Sequence, residues 1–173
     1  MKKQLLPLLA SIILVLSACS TKEDNQASEQ HVESQETEDL AHTSHNHLSG
    51  DLQETTSSAK ELPKFLDAQS EEIRLVYAAA GQATDILQWI PCYCGCGESA
   101  RHRSNLNCFI AETRKDGSIV WDDHGTRCIA CLEIAVESIR LYQDGKTLKE
   151  IRNTIDTKYQ DGYAAPTPTE MPA

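Results

Sequence analysis

The heptapeptide PCYCGCG at residues 91–97 restricts what this chain can fold into more than any other feature, because it crowds three of the chain's seven cysteines into alternate positions. Side chains along extended backbone point to opposite sides in turn, so Cys92, Cys94 and Cys96 face one point only where the chain turns. Pro91 fixes the entrance to that turn, and Gly95 and Gly97 are the residues that permit it. Three more cysteines follow, Cys108 alone and then Cys128 and Cys131 in a CIAC pair. Three apart on a helix, the last two share a face. At a helix start the unpaired N–H groups and the helix dipole also favour thiolate over thiol.

Three chemistries compete for these sulfurs. An even set of cysteines outside a membrane is ordinarily a disulfide framework, but close neighbours in a CxCxC run meet the narrow geometry of a disulfide poorly. Metal coordination accounts better for the crowding: Gly-rich turns with alternating Cys deliver several sulfurs to one ion, and CxxC supplies two more. Zinc and copper(I) suit such thiolates, and an iron–sulfur cluster suits them less outside the membrane, where it is hard to deliver and easily oxidised. Thiol exchange is the third chemistry. CIAC has the spacing of a thioredoxin-like pair but lacks the βαβ setting, and the other four cysteines go unexplained.

His102 and His124 lie near the cysteines in sequence and are candidates to complete a coordination sphere or to orient it from outside; the plain alternative is a surface or packing role. Asp122 and Asp123 adjoin His124 and are candidates to hydrogen-bond its ring; the plain alternative is that DDHG is a turn after a strand. Arg101, Arg103 and Arg127 are candidates for lowering thiol pKa values or binding an anionic partner. No Ser-His-Asp order, phosphate loop or pair of carboxylates names a reaction, so the sequence favours a protein that is not an enzyme.

The N-terminus gives an address. Lys2 and Lys3, an apolar run from Leu5 to Leu16 and LSAC at residues 16–19 have the order of a secretory signal. LSAC resembles the lipobox of bacterial lipoproteins, which implies that 1–18 is a signal peptide and Cys19 the lipid-bearing (palmitoylated) first residue. The apolar run is short for a membrane-spanning helix. From Ser20 to Ala59 nine Asp or Glu stand against Lys22 alone, so 19–59 is expected to be an acidic tether. His42, His45 and His47 within it form a tract of modest metal affinity or plain solvated residues. The formal net charge of −10 argues against nucleic acid as a partner.

The expected fold is mainly α: one small helical domain over 60–163 with a short β-hairpin and a cysteine-rich loop, followed by a frayed tail over 164–173. Ser70 caps a helix with Ile73, Val76, Tyr77 and Ala80 on one face, ended or interrupted at Gly81. A short second helix over Thr84–Ile90 stops at Pro91. Residues 107–111 and 118–121 read as a hairpin about Asp116-Gly117. Cys128, Cys131, Leu132, Ala135, Val136, Ile139 and Tyr142 have helical spacing. Thr147 and Glu150 form a capping box ahead of Leu148, Ile151, Ile155 and Tyr159. Trp89 and Trp121 are expected in the core.

PCYCGCG together with His102, Asn107–Phe109, WDDHG at 121–125 and the CxxC of Cys128 and Cys131 resembles the family of bacterial lipoproteins named for their PCYCGC motif, known mainly from Bacillus-like Gram-positive bacteria. The resemblance extends over the lipobox and the domain from about Leu62 to Tyr159. It implies a membrane address and a matching set of Cys and His positions, and no reaction. The combined expectation is a lipid-anchored domain on the extracytoplasmic face of the cell membrane. Cys92, Cys94, Cys96, Cys128 and Cys131 bind a soft metal there, with Cys108 completing or adjoining the site, to buffer it, sense it or exchange it with a donor or acceptor protein. The alternative is a disulfide-stiffened binding module of the envelope or spore, and behind it a thiol–disulfide redox protein.

Overall fold

The computed structural model describes residues 50–173. The signal segment 1–18, Cys19 and the His42, His45 and His47 tract lie outside the described residues. What is described is mostly helical with one small sheet. In chain order the elements are β1 (Gln53–Thr56), α1 (Glu71–Gln82), α2 (Thr84–Leu87), α3 (Cys96–Ser99), β2 (Ile110–Thr113), β3 (Ile119–Asp122), α4 (Ile129–Gln143) and α5 (Leu148–Tyr159). Short 3-10 turns at Lys64–Leu66, Asn105–Cys108 and Asp123–Arg127 link them.

The helices form where local chemistry favours them. The Ser70 side chain accepts the Ile73 N–H at the head of α1, satisfying one of the donors a helix start leaves unpaired. The Thr147–Glu150 capping box opens α5, and Ile151, Ile155 and Tyr159 bury its apolar face. Gly81 is the penultimate residue of α1, which ends at Gln82, close to the expected stop. On α4 the buried face runs through Cys131, Ile134, Ala135 and Ser138, while Val136 and Tyr142 are half-exposed. Cys131 and Ala135 of the expected stripe thus face inward, with Ile134 and Ser138 beside them.

The expected hairpin is two strands of a three-stranded antiparallel sheet in the order β1-β3-β2. The third strand comes from residues expected to belong to the tether. Gln53 pairs with Asp122 and Thr56 with Ile119, so the folded domain begins about ten residues before position 60. The Trp121 indole donates to Thr56 Oγ1 at 2.7 Å, which anchors β1 to the core.

That core gathers Tyr77, Leu87, Ile90, Phe109, Trp121, Ile134, Ile151, Ile155 and Tyr159 with four of the cysteines. Tyr77 packs edge-on against Phe109, with ring centroids 5.1 Å apart, and its hydroxyl donates to the Asp122 carbonyl at 2.7 Å. Helix α1 is thereby tied to the end of β3, where the chain turns towards His124. Trp89 is only partly buried and stands outside this core; its carbonyl accepts a hydrogen bond from Arg152.

The tail is also structured. Ala164 N–H donates to the Tyr93 carbonyl and Thr167 N–H to the Cys92 carbonyl. Arg152, held by Asp156, donates to the carbonyls of Thr169 and Glu170. Residues 164–170 therefore cross the cysteine loop as a strap. The frayed tail of the sequence reading is corrected here: its prolines and threonines carry no helical or strand pattern, but its backbone supplies the hydrogen bonds the loop lacks.

Candidate metal centre

The centre begins with a helix exit. Residues 90 and 91 leave α2, and the loop from Cys92 to Gly95 runs through the interior. Cys92 is fully buried, so its backbone groups need partners inside the protein. Both go to Thr167: the Cys92 N–H donates to Thr167 Oγ1 at 2.9 Å, and its carbonyl accepts from Thr167 N at 2.9 Å. Gly95 then takes φ of +88°, a conformation L side chains rarely adopt, and α3 starts at Cys96. That left-handed residue is the turn that brings Cys96 back towards Cys92 and Cys94.

Cys108 arrives at the end of the Asn105–Cys108 turn. Asn105, wholly buried, receives the direction of that turn from two bonds: its N–H donates to Ile90 O, and its side-chain amide donates to Cys131 O at 3.1 Å. Cys128 is the N-cap of α4, and its sulfur accepts the Cys131 N–H at 3.3 Å. Gly125 allows the turn carrying His124 to lie against Cys108. A Cβ there would sit 2.9 Å from Cys108 O and 2.7 Å from the Phe109 ring.

The six sulfurs converge. Cys92 Sγ lies 3.2 Å from Cys131 Sγ and 3.4 Å from Cys94 Sγ, and Cys94 lies 3.5 Å from Cys131. Cys96 and Cys108 are 3.8 Å apart. None of these six cysteines is in a disulfide, a bond that needs sulfurs at about 2.05 Å. Four thiolates at the usual metal–sulfur distance of about 2.3 Å around a tetrahedral ion are separated by roughly 3.8 Å. The observed spacings lie close to that edge length.

Both candidate histidines join the cluster. His124 Nε2 is 3.7 Å from Cys94 Sγ, and His102 Nδ1 is 3.5 Å from Cys108 Sγ. Their rings meet edge-on with centroids 4.8 Å apart. Donor atoms of Cys94, His124, Cys128 and Cys131 all lie within 4.8 Å of one another, as do those of Cys96, His102, Cys108 and His124. Every Cys and His expected at the site from the 92–131 stretch is therefore in one contiguous group.

The residue that sequence reasoning missed is Asp51. Its carboxylate is 3.2 Å from His124 Nδ1 and 3.9 Å from His102 Nε2, and it also pairs with Arg127. Each histidine thus turns one ring nitrogen to the sulfurs and the other to one shared carboxylate. This is the arrangement by which a carboxylate orients a ligating imidazole and raises its basicity. Asp122 and Asp123, the expected partners of the His124 ring, do other work. Asp122 accepts the His124 backbone N–H, and Asp123 accepts Leu52 N–H and pairs with Arg127. Those bonds clamp the segment carrying Asp51 onto the His124 turn. Arg127 is accordingly spent on Asp51 and Asp123. Nothing near Asp51 in sequence marks it except the Gly50-Asp51 turn ahead of a four-residue strand.

The electrostatics divide the sulfurs into those that give up a proton and those that keep one: Cys94 and Cys96 are held low, whereas Cys108, Cys128 and Cys131 are pushed up. Hydrogen bonds from Cys108, then from Cys128, Cys131 and Cys92, hold the Cys94 thiol far below the ordinary thiol range. Cys96 is lowered to about 5, with Cys108 its main donor. The converse falls on Cys131, which is pushed up because its neighbours, Cys108 first, take its proton as a donor. His124 is raised to about 10 by its hydrogen bonds with Cys128 and Cys94. His102 is lowered because burial disfavours its charged form. Without a cation, then, a few thiolates are stabilised by the S–H groups and the imidazolium around them. A soft cation can take the place of those shared protons.

A family model described as proteins of unknown function with a PCYCGC motif matches residues 8–172. No curated protein and no solved structure matches the chain.

Proposed function

The chain belongs to the family of proteins with a PCYCGC motif, and from the chemistry of its site we propose that it binds a soft metal, copper(I) or zinc, through clustered cysteines. The observation that carries this reading is the convergence of six unlinked sulfurs and two imidazoles on one largely buried volume. Thiolates held low at Cys94 and Cys96 beside an imidazole are the donor form a soft cation takes. The sulfur-rich donors select against magnesium and calcium, which take oxygen.

The signal-like N-terminus supports an address on the extracytoplasmic face of the cell membrane, with the lipid on Cys19. Among the described residues no helix is long and apolar enough to cross a membrane. In that position the domain buffers, senses or transfers the metal, exchanging it with a protein that presents thiolates of its own. Catalysis is no part of this reading.

Anaerobic purification followed by elemental analysis and thiol titration tests it. The expected result is bound copper or zinc, and thiols that become reactive only after the metal is removed. Six sulfurs oxidised in pairs with no metal would instead establish the disulfide-stiffened module.

A further inference from the structure

The donor set is twice what one tetrahedral ion can use, and it divides by burial. Cys92, Cys96 and Cys108 are fully buried and His102 is 6 % exposed. Cys94, His124 and Cys128 are all part-exposed, and they share a quartet with the buried Cys131. Resting on the metal-binding reading above, we propose that the centre holds two ions of unequal accessibility. An inner ion takes Cys92, Cys96, His102 and Cys108, and an outer ion takes Cys94, His124, Cys128 and Cys131.

Three observations support this partition. First, each histidine faces the sulfur of its own set, His102 towards Cys108 and His124 towards Cys94. His124 is also within reach of the inner donors, but a single imidazole nitrogen binds one ion, and the other nitrogen of His124 is engaged by Asp51. Second, Cys92 Sγ lies within 4.8 Å of Cys96 in one group of donors and of Cys108 in another, so with His124 assigned to the outer ion it is the sulfur available as fourth donor on the inner side. Third, Cys92 is also 3.2 Å from Cys131 and 3.4 Å from Cys94. Its thiolate therefore adjoins both ions and can bridge them, sharing one negative charge between two cations. Asp51, in contact with both histidines, serves the two sets together.

The consequence is a division of labour within one cluster. The inner ion is sealed by the core and by the strap at Thr167, and it is structural. The outer ion has two thiolates at the surface, Cys94 and Cys128, beside Ile129, which is 74 % exposed. An incoming thiolate can displace those ligands one at a time without opening the core, so the outer ion is the exchangeable one.

The test is native mass spectrometry of the full chain, reduced and loaded with zinc under anaerobic conditions, together with its Cys128→Ser and Cys94→Ser variants. Serine at 128 keeps an oxygen to cap α4 while removing the thiolate. Two zinc ions are expected in the unaltered chain and one in each variant, with a chelator removing one ion from the unaltered chain before the other. Should one variant fail to fold, the other carries the comparison. One zinc in the unaltered chain, or two retained in a folded variant, overturns the two-ion assignment and leaves metal binding standing. A chain that takes no zinc and a single copper(I) also overturns the assignment alone. A chain that takes neither overturns both.

Discussion

The inner and outer halves of the sulfur cluster use the same kinds of donor in opposite surroundings. Cys96, His102 and Cys108 are enclosed by the core, and Cys92 beside them is pinned through both backbone groups to the Thr167 strap. Cys94, His124 and Cys128 are part-exposed: Cys94 on the 92–95 loop, His124 on a turn held by Asp51 and Asp123, and Cys128 at the start of α4. Position in the fold, rather than ligand chemistry, separates the two. On the proposed two-ion assignment, the difference makes one ion part of the architecture and leaves the other open to exchange, with a single run of alternating cysteines contributing to both halves.

Removing the metal altogether should have the largest effect, because it strips the inner half of its cation. Under reducing conditions, chelation is expected to cost about 4 kcal/mol of unfolding free energy relative to protein in zinc at a thousandfold excess over its dissociation constant. Urea denaturation with and without zinc measures it. An unchanged midpoint would mean that the inner half needs no ion.

The strap comes next. Thr167→Val removes the acceptor of the buried Cys92 N–H and should destabilise the fold by about 1–3 kcal/mol, the cost of an unsatisfied buried donor. It should also speed loss of the more slowly released metal selectively. Equal acceleration of both ions by this variant would erase the distinction between the halves.

Asp51→Asn is expected to act on both halves at once, since Asp51 touches both histidines. Zinc affinity should fall roughly 10–100-fold, the usual effect of losing a carboxylate behind a ligating histidine. Competition with a chromophoric chelator reads this directly. A loss confined to one ion would assign Asp51 to that half alone.

The smallest effect is a proton count. His124 is raised to about 10 in the metal-free protein, whereas His102 is lowered by burial. At pH 8, zinc should therefore displace about one proton from His124 and none from His102. His124→Gln should reduce the protons released, and His102→Gln should leave the number unchanged, as followed with a weakly buffered indicator. The sign for stability is equally defined. The raised His124 stabilises the metal-free fold fully below the ordinary histidine pKa of about 6.5, and that contribution is lost as pH rises through about 10.

Much of this architecture was legible in the sequence, and the reason lies in local signals. Ser70, Thr147 and Glu150 announce helix starts through caps that need no tertiary context. Cys128 and Cys131 share a face by spacing, and Gly95 marks the turn that gathers the first three cysteines. What escaped depends on partners far away in the chain. Strand β1 has four residues and becomes a strand only by pairing with β3; Asp51 acquires meaning only beside His102 and His124. Thr167 sits in a proline-rich tail whose order comes from the backbone of Cys92, 75 positions earlier. Trp89 was expected in the core from its size, but the exit of α2 leaves it partly at the surface.

The central claim is that sulfurs of this cluster hold a soft cation in common, and X-ray absorption spectroscopy of the zinc-loaded full chain tests it most directly. The account predicts a first coordination shell dominated by sulfur at about 2.3 Å, with a minority of imidazole nitrogen at about 2.0–2.1 Å. A shell of oxygen and nitrogen without sulfur would contradict it.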